Sequence, residues 1–169
     1  MPSAADAPVG TQIDATTAGP RSLEELVTDN DVKVRLSKLH FRTAYIASFA
    51  TPNYVPDKAS APVGSALYGT FAIVFASVKD AEGGFDFYRN RLRGRAKDLT
   101  PIVVAKNLGE ETFSFRFSSL DDTPLPGVVI LFRVGNGLFS IVGTGNPSPD
   151  PAVTRALADK IAKRADAAS

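Results

Sequence analysis

The stretch "YRNRLRGRAK", Tyr88 to Lys97, places Arg89, Arg91, Arg93, Arg95 and Lys97 at alternate positions. On a helix this spacing spreads the cations around the surface, and positive charge near a helix C-terminus is favoured by the macrodipole. The run therefore reads either as a solvated helix end or as a contact surface for an acidic protein partner or a lipid head group. Nucleic acid is disfavoured, because no aromatic stacking platform is interleaved with the cations.

Arg116 and Arg133 fall in the middle of probable strands, Arg116 between the small polar residues Ser114 and Ser118. If the two strands pair, both guanidinium groups are expected on one sheet face, where they would hold an anion. The plainer alternative pairs them with Glu110, Glu111 or Asp121. His40, the sole histidine, follows an apolar-rich segment and reads as a packed or hydrogen-bonded structural residue. Asp121 and Asp122, ahead of two prolines, read as hairpin-loop residues, and a metal would need further ligands.

Two Gly-x-Gly pairs lie in "GNGLFSIVGTGNPSPDP", Gly135 to Pro151. A dinucleotide fingerprint requires a strand, the glycine loop, a helix and a second parallel strand with an acidic residue about 20 positions on. Here the chain ends soon after one helix, and no Gly-Lys-Ser/Thr is present. The loop reads as a chain reversal, with weak anion binding at the helix start as the other option. Gly135-Asn136-Gly137 reads as a tight hairpin, with Asn-Gly accepting positive φ at both turn positions.

The absence of Cys removes thiolate metal sites, disulfides and cysteine nucleophiles, and a single His leaves no His-rich metal centre. No cofactor motif and no metal set is found. An enzyme would need a carboxylate or Ser/Lys mechanism that no spacing here identifies. The 19 basic and 18 acidic side chains leave a net charge of +1, which gives no global pull toward nucleic acid or an acidic membrane.

The elements that must position these residues follow from composition and period. The chain has 169 residues, 44% of them apolar and 22% charged, enough for one globular domain without staples. No apolar run is long enough to span a bilayer. Residues 1–20, rich in Ala, Pro, Thr and Gly, read as a flexible tether without signal-peptide character, and 21–166 as a single domain. The tether fits the mature end of an exported or lipid-anchored protein, or alternatively an ordinary cytoplasmic N-terminus.

Ser22, with Glu25 three residues on, starts a short helix. Residues 31–41 fit a strand or a helix face. Residues 43–50 and 66–77 read as strands, the second apolar on both faces and therefore covered on both sides. The loop 51–64 between them is long for a compact domain. Ser77 caps a helix whose stripe is Val78, Ala81, Phe85, Tyr88 and Leu92, interrupted by Gly83 and Gly84, which would let another backbone come close. Strands follow at 101–105, 111–119, 127–134 and 137–145, and a last helix starts at Asp150-Pro151.

The order predicts an α+β domain with a mainly antiparallel sheet of about six strands and helices packed on it. The apolar residues Val129 and Leu131, with Leu138 and Val142, line a second strand face that needs a cover. That cover is either a small amphipathic or anionic ligand, or further helix packing.

The segments "FASVKDAEGGFDFYRNRL", "LGEETFSFRF", "VVILFRVGNGLFSIVGTG" and "ALADKIAKR", between Phe41 and Arg164, together resemble a group of bacterial exported proteins and lipoproteins. Their layout is similar to the PsbP-like sandwich, which also occurs in extracellular sensor domains. The resemblance implies a non-enzymatic exported or anchored domain that senses, binds small amphipathic ligands or docks on a larger assembly. It transfers no site residue.

Overall fold

A computed structural model describes residues 2–55, 61–102, 108–121 and 124–167. Within them the N-terminal segment holds a 3-10 turn at Ala4–Asp6 and two short strands, β1 (Gln12–Ile13) and β2 (Gly19–Arg21). Helices α1 (Leu23–Leu26) and α2 (Asn30–Lys38) lead into strands β3 (Phe41–Ala50) and β4 (Ser65–Phe75). Helix α3 (Val78–Arg95) is followed by β5 (Ala96–Lys97), β6 (Thr100–Pro101), β7 (Glu111–Phe117) and β8 (Ser119–Leu120). The chain closes with β9 (Gly127–Val134), β10 (Gly137–Asn146) and α4 (Pro151–Asp166).

The main sheet is eight-stranded and antiparallel, in the order β1-β3-β4-β10-β9-β7-β6, with β2 also on β3, and β5 pairs β8 separately. The expected α+β antiparallel architecture is what the chain adopts. The extra strands are two- and three-residue pairings at the sheet margins, too short to carry a periodic signal. The expected strand at 101–105 starts as β6, and residues 103–107 lie outside the described residues. So does part of the 51–64 loop.

Of residues 1–20, expected to be a tether, the described ones lie against the domain: Ile13 pairs Phe49, Pro20 pairs Tyr45, and Asp6 is buried beside Arg164 of α4. The correction has a physical cause. The outer edge of β3 presents unpaired backbone groups, and the first 21 residues satisfy part of them.

Both faces of the sheet are covered. On one face Phe49, Phe132, Ile141 and Leu157 form a core under α4. On the other, Leu36, Ile73, Phe75, Phe85 and Leu131 pack beneath α2 and α3. The ambiguous segment 31–41 is helical as far as Lys38, because Asp29 accepts from the backbone N–H of Asp31 and Val32, while Val32 and Leu36 face the core; Phe41 already begins β3. Ser22 and Glu25 form the expected reciprocal cap of α1.

Gly83 and Gly84 admit side chains rather than a backbone. A Cβ on Gly84 would stand 2.6 Å from the Phe75 ring, and one on Gly83 would stand 2.7 Å from Leu39. The β9–β10 turn is centred one residue earlier than expected, on Gly135-Asn136, with φ +55° at Gly135. Asn136 is freed to bridge the end of β4: its carbonyl accepts from Phe75 N–H at 3.0 Å, and its side-chain amide donates to the Phe75 carbonyl at 2.9 Å.

Candidate functional site

The cations of α3 divide by partner. Arg89 meets Asp86 at 2.8 Å, and Arg91 reaches the α2 cap Asp29 at 2.9 Å. Arg95 donates from Nε to Asp121 at 2.6 Å, with a second bond from its other arm. This bidentate pair holds the Asp121 carboxyl below its ordinary range. Arg91 and Arg95 thus fasten the end of α3 to α2 and to the β8 turn. Among the described residues, Arg93 and Lys97 are the members of the run without a carboxylate partner. The Arg93 guanidinium lies over the Phe113 ring, 4.9 Å from its centroid. Asp122 lies outside the described residues.

Arg93 and Phe113 form one wall of a groove of about 460 Å³ at the β6–β7 margin of the sheet. Leu99, Ile102 and Phe115 continue its apolar lining, and Phe113 and Phe115 have ring centroids 4.9 Å apart. Phe115 is buried and Phe113 half-buried, so Phe113 presents the more accessible aromatic surface. Thr112 and Ser114, alternating with these rings, border it from the same strand. Thr112 Oγ1 accepts from Leu108 N–H at 3.0 Å, and Ser114 Oγ donates to the Ile102 carbonyl at 3.1 Å. The alternation of Phe113, Phe115 and Phe117 was visible in the sequence. Their meeting with Arg93 was not, because α3 and β7 touch only in the tertiary fold.

Arg116 and Arg133 are not brought together. Arg116 pairs with Val128 and Arg133 with Glu111, so the pleat sends them to opposite faces of the sheet. Arg116 is exposed. Arg133 is 6% exposed and already enclosed by carboxylates: Glu111 at 2.7 Å, with Glu82 and Glu110 each at 3.7 Å. It also donates to the Gly135 carbonyl at 3.0 Å. Its surroundings suit a structural cation rather than a receptor for an anion.

Val129 and Leu131 are not among the residues that line the β6–β7 groove. Both are fully buried, Leu131 in the core beneath α3 and Val129 with Phe115 and Phe117. The cover they require is supplied by helix packing. Beneath α3, burial raises the Tyr88 hydroxyl pKa to about 12 against a smaller opposing pull from Arg91.

The second Gly-x-Gly pair, expected in a chain-reversing loop, lies within β10, Gly143 opposite Tyr68 and Gly145 opposite Ala66, and the chain turns only after Asn146. A Cβ on Gly145 would stand 2.5 Å from the Ser65 carbonyl, and one on Gly143 would meet Thr154 and Tyr68 at 3.1 Å. The glycines therefore let β4 and α4 approach β10. The start of α4 is occupied by Asp150, which accepts from Ala152 N–H at 2.8 Å, leaving a carboxylate where an anion would have bound. His40 stands 3.0 Å from Asp80 on the surface, as a hydrogen-bonded residue.

No known family pattern matches the chain, and none of the curated proteins is significantly similar to it. Among solved structures, the fold is similar to the extracellular domain of PknH from Mycobacterium tuberculosis. The TM-score is 0.55 at 9% identity, covering 95% of this chain and 84% of that one. The likeness is one of fold.

Proposed function

We propose that this chain is a non-catalytic, extracytoplasmic binding domain of sensor type, whose ligand is a small apolar or amphipathic molecule held at the β6–β7 margin. The observation that carries this reading is the groove beside Phe113. At about 460 Å³ it falls in the size range of small-molecule sites, and its lining combines aromatic and aliphatic side chains with Arg93, Thr112 and Ser114. The likeness to an extracellular domain supports the extracytoplasmic part, and the resemblance to PsbP-like sandwiches belongs to the same reading.

Native mass spectrometry of protein purified without denaturant tests it. The expected result is an adduct of small-molecule mass that dissociates on activation and is lost in Phe113→Ala. A bare chain, together with no amide shift at Phe113 or Ser114 on titration with a panel of small amphiphiles, overturns it.

A further inference from the structure

We propose that the groove selects amphiphiles bearing a single anionic head, with Arg93 holding the head and Phe113 the apolar body. This rests on the reading of the groove as the ligand site and adds the charge of what enters it. Three arginines of the run spend their charge on aspartates of this chain, whereas Arg93 meets none among the described residues. Instead its guanidinium sits over the Phe113 ring. A guanidinium over a ring keeps its N–H donors, whose fork matches a carboxylate, sulfate or phosphate.

The rest of the lining agrees in sign. No carboxylate is among the described residues of this groove. By contrast, the cleft beside the end of α4 carries Glu110, Asp159 and Asp166 against Lys163. Cation and aromatic wall therefore lie in one groove, and together they discriminate against neutral and cationic amphiphiles of the same length.

The test compares octanoate, 1-octanol and octyltrimethylammonium by amide chemical-shift titration of the whole chain. It is repeated on Arg93→Gln and on Arg42→Gln, which removes an exposed cation on β3 at the far side of the sheet. A charge-assisted hydrogen bond predicts octanoate binding about tenfold tighter than 1-octanol, with Arg93→Gln abolishing the difference and Arg42→Gln leaving it intact. Equal binding of octanoate and 1-octanol overturns the charge selection while leaving the groove as a ligand site. No shift with any of the three overturns both. An equal loss in Arg42→Gln means diffuse charge attraction and overturns the proposal. So does retention on phosphatidylglycerol vesicles without binding of free octanoate, which would assign anion recognition to a membrane surface.

Discussion

Arg164, in the last turn of α4, holds the buried carboxylate of Asp6 at 2.5 Å, so the two ends of the described chain are joined by an ion pair. Burial raises the Asp6 pKa, but the bond from Arg164 and those from Ser3 together outweigh it, and the net shift is downward from 3.8. A carboxylate whose folded pKa lies below its unfolded one contributes in full above the unfolded value. That contribution is lost as pH falls through the folded one. The N-terminal segment is therefore expected to loosen below about pH 4, ahead of the core. Amide exchange at Ile13 and Arg21, followed from neutral pH into that range, checks this. Asp6→Asn should reproduce the loosening at neutral pH for about 1 kcal/mol of stability, since Arg164 is partly solvated.

Two glycines of α3 should respond to alanine with opposite signs. Gly94→Ala meets nothing within 4 Å and gains helix propensity, so it should stabilise by up to about 1 kcal/mol. Gly84→Ala drives a methyl into the Phe75 ring. Overpacking of about 1–3 kcal/mol should exceed the propensity gain. Urea unfolding of the two variants gives the comparison.

Removing the closest partner of Arg133 should be costly. Its side chain is 7% exposed, and Glu111→Ala would leave it the Gly135 carbonyl and the carboxylates at 3.7 Å. A loss of about 2 kcal/mol is expected, below that for an isolated buried pair because two acids remain. Arg133→Met should be milder than Glu111→Ala, because the cation leaves with its desolvation cost. Equal losses in chemical denaturation would show that the cation matters through packing alone.

Asp150→Ala should cost about 1 kcal/mol by uncapping α4. Asp150→Ser should restore most of it, which thermal unfolding would reveal.

The helices and long strands were legible because their periods were. The stripe of α3, the doubly apolar β4 and the aromatic alternation of β7 each predict what surrounds them. Pairing parity was not legible. Whether Arg116 and Arg133 share a face depends on the registration of β7 against β9, where a shift of one residue reverses the outcome. Nor could apolar type alone decide what covers Val129 and Leu131, since a ligand and a helix satisfy the same surface. β1 and β2 carry no apolar pattern, because they follow from the edge of β3 rather than from their own composition. Arg93 and Phe113 were each visible, but their contact is a product of how α3 crosses the sheet.

The order of the sheet gives the domain a polarity. The N-terminal strands attach at β3, while the groove opens beside β7, four strand spacings or about 19 Å across the sheet. The N-terminal strands and the groove therefore occupy opposite margins of the sheet. Any signal passing between groove and attachment would have to cross a rigid ladder packed on both faces.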